Sequence, residues 1–527
     1  MSRALGPLTT TSKRPGNCKE NGTYSTRWLH PPLTSFPWQV TIGSLSDEVL
    51  LRIFRYYLDA SPRLWPSLVH ICRQWRRIVF AFQRPLHLRL FCTYGIPVSK
   101  TLDYWPTLPI VVNFGGPPAL DPPAPEDEDN IVAALKQSCR VISISLTFTS
   151  SLLKKFSTVG RPFSKLEDLV IFSQDGTHLT LPSTFRWGLR LRSLHLTRIA
   201  SPVLTRLLYS SKNLVDLRLH EVFNTWHISP TTLVDALSRM TQLQSLSLHF
   251  LSTANHIVFP FPSGERITLP ALTRLHLRGV DAYSEGLVAR IGAPCLRDIE
   301  ITFFDKHIFA VPKLREFIDR IEMLKSHRRA DILSSERAIA ITLTQPGVPT
   351  CLKLQVLCKT LRSQPFFMAQ ICGHFSAFFH RVEDLRISTE RPSTVQHGGN
   401  RGQWLGIIRR FRGTKWFHVA GDHSTNVVRA LQLSDKQREP VLPALHKLYI
   451  REPEPRCVPL REAVLLFMHS CWLSGHFRAV EYERLPNDRL RGAGTTFARC
   501  QNPKLTCFVR DIFLTKLRLR CSPAMSF

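Results

Sequence analysis

The chain has 527 residues, 43% of them hydrophobic, which is enough for three or four ordinary domains or for one long repeat array. No run of about 18 uncharged apolar residues occurs, so no transmembrane helix is predicted. A net charge of +29 favours acidic partners or nucleic acid, but the basic residues are scattered, densest at Arg409–Lys415 and Lys325–Arg329, and nucleic acid is not the expected partner.

Residues 1–40 are polar, rich in Pro, Ser and Thr, without the apolar core of a secretory signal, and read as a disordered leader. Residues 41–85 carry two apolar helical patterns. The first spans Asp47–Leu58, with Ser46 as its cap and Asp47 and Glu48 at its positive end. Its Val49, Leu50, Ile53, Phe54, Tyr57 and Leu58 cover an arc of about 180°. The second is predicted to start at Pro66 and to line up Leu68, Ile71, Cys72, Trp75, Ile78, Val79 and Phe82, with Val69 and Phe80 outside the stripe. Two helices of this size cannot bury that much apolar surface between them, so the surplus must meet another chain or this chain's next domain.

A strand, a short helix and a strand follow over residues 86–116, and a Pro-rich acidic linker over 117–130. From residue 131 to 485 a repeat dominates. LEDLVI begins at Leu166, LRSLHL at Leu191, LVDLRL at Leu214, LQSLSL at Leu243, LTRLHL at Leu272 and LRDIEI at Leu296. Several copies have an aliphatic residue eight positions after the first Leu: Ile199, Val222, Leu251 and Val280. Weaker copies are AIAITL from Ala338, VEDLRI from Val382, KWFHVA from Lys415, LHKLYI from Leu445 and RAVEYE from Arg478. Helical segments fall between them, two opening on a Ser cap followed by Pro (Ser201 and Ser229). A strand–helix unit of about 20–30 residues carrying LxxLxL cannot bury its own apolar face and must stack on its neighbours. The predicted fold class is α/β: a helical front element, then an irregular leucine-rich-repeat-like solenoid with parallel strands and outer helices. Residues 486–527 lose the period and read as an irregular tail.

The 13 cysteines are an odd number with no CxxC pair, and Cys72, Cys139, Cys295, Cys358 and Cys471 sit in apolar runs, as reduced thiols do. A reducing compartment, cytoplasm or nucleus, is expected, and no metal site. There is no GxSxG, HExxH or phosphate-loop motif, so neither catalysis nor a cofactor is expected.

Leu45-Ser46-Asp47-Glu48, the pair Ile53-Phe54, and Cys72-Arg73-x-Trp75-Arg76 together resemble an F-box, with Ser46 where the family usually has Pro. With the repeats behind it, the chain is similar to the large fungal, basidiomycete-type, F-box families, in which such segments recur. The resemblance implies a noncatalytic substrate receptor of a cullin-based ubiquitin ligase. Leu45, Ile53, Phe54, Leu58, Cys72 and Trp75 would then be the adaptor-facing or motif-core residues for binding a Skp-type adaptor, and through it the cullin, while the repeats hold a target protein. The alternatives are a repeat-based scaffold without a ligase role and a basic nucleic-acid-associated scaffold.

Within LxxLxL the leucines point to the core and the intervening positions to the opposite face. That places His195, Arg218, His220, His249, His276 and Arg278 on adjoining strands, with Arg192 and Arg274 nearby. Such a basic column suits an acidic or phosphorylated target peptide; ordinary solvated strand surface is the competing reading.

Overall fold

The computed structural model describes residues 42–93, 98–105, 107–114, 125–156, 162–173, 179–180, 190–200, 204–221, 228–250, 266–279, 282–304, 311–358, 360, 363–390, 401–432, 440–451, 460, 462–468 and 479–483. The expected leader, most of the expected linker and the expected tail lie outside these residues, as do Val222, Leu251, Val280 and Cys471. The chain divides into two compact units, residues 1–87 and 88–527.

In the first unit α1 spans Asp47–Ala60, and α2 (Trp65–Leu68) and α3 (Arg73–Ala81) follow a 3₁₀ turn at Pro62–Leu64. The second predicted helix is therefore broken. Cys72 is extended (φ −154°, ψ 171°), and the carbonyl of Val69, freed by the break, accepts a hydrogen bond from Arg76 Nε at 2.8 Å. The break turns Val69 inward and leaves Ile71 outside, the reverse of the expected stripe. Leu50, Phe54, Leu58, Trp75, Ile78 and Val79 form the core, where Phe54 and Trp75 meet edge to face at 4.7 Å. Asp47 ties the two long helices together by accepting from Gln74 (3.2 Å) and Arg77 (2.9 Å).

The second unit is mixed α/β. In chain order it runs β1 (Leu90–Cys92), α4 (Val98–Tyr104), β2 (Ile110–Phe114), α5 (Pro125–Lys136), β3 (Val141–Phe148), α6 (Ser150–Phe156), β4 (Asp168–Ser173), β5 (Leu179–Thr180), β6 (Ser193–Thr197) and β7 (Ile199–Ala200). It continues with α7 (Leu204–Ser210), β8 (Asp216–His220), α8 (Pro230–Ser238), β9 (Ser245–His249), β10 (Ile267–Thr268), β11 (Arg274–Arg278), α9 (Ala282–Arg290), β12 (Ile291–Gly292), β13 (Asp298–Phe304) and α10 (Pro312–Asp319). The last third holds β14 (Arg329–Ser334), β15 (Ala338–Gln345), β16 (Val348–Leu357), α11 (Gln364–His374), α12 (Ser376–Phe379), β17 (Asp384–Thr389), α13 (Arg401–Ile408), β18 (Trp416–Ala420), α14 (Ser424–Leu431), β19 (Lys447–Arg451) and β20 (Ala479–Glu483). The acidic run Glu126–Asp129, expected in a linker, instead opens α5, where negative charge offsets the helix's positive end. The strand expected from Leu86 begins only at Leu90, because His87 takes φ +50° and turns the chain first.

Among the described residues sixteen strands form one sheet, ordered β1-β2-β3-β4-β6-β8-β9-β11-β13-β16-β15-β14-β17-β18-β19-β20. Most neighbours are parallel, and consecutive helices pack side by side (α7 on α8, α8 on α9, α9 on α10, α13 on α14). The first leucine of each copy closes a turn, as in Leu214 N–H to Ser211, Leu243 to Met240 and Leu272 to Leu269. The next residue then donates to the preceding copy: Val215 to Arg192, Gln244 to Val215, Thr273 to Gln244, Arg297 to Thr273. The leucines are buried in every copy, with Leu214, Leu217, Leu219, Leu243, Leu248, Leu272 and Leu277 wholly so.

The predicted array is interrupted. The stretch AIAITL is β15, which runs antiparallel to both β14 and β16, so Arg329–Leu357 is a three-strand meander rather than one more parallel copy. The Pro346-Gly347 turn, with Gly347 at φ +80°, supplies the reversal. Beneath it the buried Gln364 bonds Ser334 (2.6 Å) and the Ser335 carbonyl (2.8 Å), fixing α11 to the meander.

The chain leaves several parallel strands through the left-handed region: Arg198 (φ +57°), Glu221 (+56°), Gly279 (+79°) and Gly421 (+85°). At Gly279 a Cβ would lie 2.6 Å from the Phe250 carbonyl oxygen, whereas at Gly347 nothing lies within 4 Å. Gly347→Ala should cost roughly 1 kcal/mol, from backbone strain alone, and Gly279→Ala about 2–4 kcal/mol, from strain and clash together. Denaturant midpoints of the two variants against the parent check this; equal shifts would remove the clash argument.

Candidate functional site

Two surfaces have functional chemistry, one on each unit. On α1 the buried stripe is Leu50, Phe54 and Leu58, and one residue earlier a second apolar stripe of Val49, Ile53, Tyr56 and Tyr57 faces solvent. Leu64, Ile71, Phe80 and Phe82 are exposed as well, Ile71 by 57% and Tyr56 by 80%. This sorts the six expected adaptor residues. Ile53 and Cys72 are exposed and Leu45 is half-buried, while Phe54, Leu58 and Trp75 are buried, the motif-core part of the set. Ser46 caps α1 by position only; its side chain makes no capping bond.

On the second unit the positions between the leucines form in-register rows across the sheet. One reads Val170, His195, Arg218, Ser247, His276, Glu300, Lys353. The next reads Phe172, Thr197, His220, His249, Arg278, Thr302, Gln355. The third reads Asp168, Ser193, Asp216, Ser245, Arg274, Asp298. All eight expected target-contacting residues are thus on or beside this patch, with Arg192 at the entrance to β6.

Acids lie among the bases of the expected column. Arg218 is bonded by its own strand's Asp216 at 2.9 Å, Arg274 sits in register with Asp298, and Glu300 accepts from Lys353 at 2.7 Å and lies 3.8 Å from His276. The same pairing recurs further along, where Arg329 holds Asp331 (2.9 Å), Arg386 holds Asp384 (3.1 Å) and Asp384 is 3.5 Å from His418. Of the expected cations, Arg278 is exposed and forms no ion pair among the described residues. The missed acids had a readable signal: in DLR (Asp216 to Arg218, Asp384 to Arg386) the two charges are two residues apart and share a strand face.

The histidines form a continuous ladder. His220 and His249 stack in parallel at 3.5 Å, and His195 and His276 stand edge-on at either side at 4.7 and 4.8 Å. Phe172 extends the ladder at 5.0 Å from His195. His195 Nε2 lies 3.3 Å from His220 Nδ1, and His220 Nε2 lies 3.1 Å from Ser247 Oγ. Burial, reinforced by neighbouring positive charge, pushes His195 down to about 4, His220 to about 2 and His249 to about 3. His276 is lowered by burial despite the opposing pull of Glu300. At neutral pH the ladder is therefore uncharged.

Among the described residues no group of three or more His, Cys, Asp or Glu is arranged to hold a metal ion, and no helix is long and apolar enough to cross a membrane. Cys358 is buried as the small-hydrophobe reading requires, but Cys72, Cys139 and Cys295 are exposed, because each falls at a turn or helix end rather than within a strand. No family model matches this chain, nor does any curated protein sequence.

The ladder gives stability a defined pH dependence. Unfolded imidazoles titrate near 6.5, while the folded ones are held lower, so between about pH 6.5 and 4 the unfolded chain binds more protons and stability falls as pH falls. Urea midpoints should drop from pH 7.5 to 5.5, above the ordinary carboxylate range, and His220→Asn should flatten that slope. A slope unchanged by the substitution would mean that the ladder does not set it.

Proposed function

We propose that residues 41–85 are an F-box, that the strand–helix array is a leucine-rich-repeat-type solenoid, and that the protein is a noncatalytic substrate receptor of a cullin-based ubiquitin ligase. One observation carries the reading: a unit with a small core of its own leaves a second apolar stripe on α1 in water. Exposed single hydrophobes are ordinary, but a contiguous stripe on a short helix is the chemistry of a docking face. Val49, Ile53 and Tyr57 keep about 40% of their surface exposed, so covering each contributes less than the roughly 1.5–3 kcal/mol of full burial, and the stripe supplies the apolar part of a complex with an adaptor.

The departure from the F-box pattern at Ser46 is small in conformational terms. Ser46 holds φ −63°, the value that a proline would impose, so the bend into α1 is present without it. The target would then lie on the sheet face that carries the rows. Alternating acids and bases there favour a protein over a nucleic-acid backbone, which calls for an unbroken basic track.

Purified full-length protein should bind a Skp-type adaptor, and Ile53→Asp combined with Ile71→Asp should weaken binding at least about 100-fold, roughly 3 kcal/mol. Both positions are exposed, so the circular dichroism of the variant should match the parent. Absence of binding by the folded parent would leave a repeat-based scaffold without a ligase role as the better account.

A further inference from the structure

We propose that the imidazole ladder of β6, β8, β9 and β11, with Arg278 at its exposed end, is an anion-binding site that takes up protons as it fills, the anion being a phosphomonoester or a carboxylate. The proposal rests on reading this sheet face as the target-holding surface; it does not depend on the adaptor.

The geometry supplies both parts, a relay and an unbalanced cation. The relay runs from His195 to His249: His195 Nε2 lies 3.3 Å from His220 Nδ1, and His220 Nε2 lies 3.1 Å from Ser247 Oγ, itself 3.4 Å from His249 Nε2, while Thr197 Oγ1, 3.2 Å from the same His195 Nε2, branches from its end. A neutral imidazole has one donor and one acceptor, so this chain can be polarised in either direction and a proton entering at one ring can be passed along it. Each neighbouring carboxylate has a cation of its own nearby. Asp216 holds Arg218, Asp298 faces Arg274, Glu300 holds Lys353 at the His276 end, and Asp168 on β4 is opposed by Arg192 and Arg89. The stacked pair His220–His249 has no acid in its row, where the neighbours are Thr197 and Arg278.

Two parallel rings at 3.5 Å resist a positive charge first because both are buried, and then because His249 is repelled by His276 and Arg278, and His220 by His249, His195, His276 and Arg218. A negative group bound against Arg278 and the outer ring edge reverses the sign of that field. One charge at about 4 Å, at an effective dielectric near 20, changes a protonation equilibrium by roughly a thousandfold. A ring that titrates at about 3 when the face is bare is thereby shifted upward, while its burial still opposes the charge. The proton then adds a charge-assisted hydrogen bond to the anion. Neutral rings keep the face from gathering anions indiscriminately, and only an anion seated at Arg278 calls up the extra charge.

The test uses the full chain and three probes: inorganic sulfate, whose charge is constant from pH 5.5 to 7.5, a phosphoserine peptide, and its unphosphorylated counterpart. Calorimetric titration in two buffers of different ionisation heat counts the protons taken up. Sulfate affinity should rise by up to about tenfold per pH unit of acidification, the linkage expected for one proton. His249→Asn should keep part of the binding and lose the proton uptake, and Arg278→Gln should weaken binding at every pH. The phosphopeptide binding more tightly than sulfate identifies a peptide-borne group; equal affinity identifies a free-anion site, and both support the proposal. No anion binding, pH-independent binding, or proton uptake that survives His249→Asn would overturn it. Should His249→Asn fail to fold, the exposed Arg278→Gln decides, since unchanged sulfate binding overturns the site.

Discussion

The second unit depends on one constraint: a short strand with leucines on one side and polar groups on the other is stable only when paired with neighbouring strands. The bond from Val215 to Arg192, repeated as Gln244 to Val215 and Thr273 to Gln244, meets that constraint at the entrance of each strand. It fixes the register, and register decides everything on the other face. A slip of one residue in β8 would send Leu217 and Leu219 to water and Arg218 into the core. The rows of His, Arg and Asp therefore follow from the burial of the leucines, and the functional chemistry is built on positions that the core leaves over.

Those remaining positions are not free of physical demands. Parallel strands lie about 4.8 Å apart, so like charges in one row repel along the whole sheet. The chain answers in two ways. Where the row is charged, an acid two residues away on the same strand neutralises the base, as Asp216 does for Arg218 and Asp384 for Arg386. Where four histidines fall together, burial keeps the rings uncharged, and the middle two stack while the outer two stand edge-on. The net charge of +29 thus describes the chain as a whole and misdescribes this face.

Much of the fold was legible because it is written in periods. Every LxxLxL copy marks a strand, and Ser229-Pro230 marks a helix start whose cap bond to Thr232 is made at 3.1 Å. What was not legible depends on partners far away in sequence. The meander carries ordinary alternation, in Arg329–Ser334 and Val348–Leu357, which says nothing about strand direction. Likewise the break before α3 is accompanied by Arg76 reaching back to the Val69 carbonyl, a bond with no signature in a helical pattern. The candidate site was half legible: its membership could be read from the repeat, but its charge could not, since that required the cross-strand register and the degree of burial.

The meander has a consequence of parity. It contains three strands, and its outer two run the same way: β16 lies parallel to β13, and β14 parallel to β17. An odd insertion of antiparallel strands leaves the polarity of an array unchanged across the join, whereas an even one would reverse every strand beyond it. The copies after the meander therefore keep the same up-and-down sense as those before it. Arrays of this kind can lengthen by triplets without turning half of their surface over, and the sheet records one such step between Phe304 and Asp384.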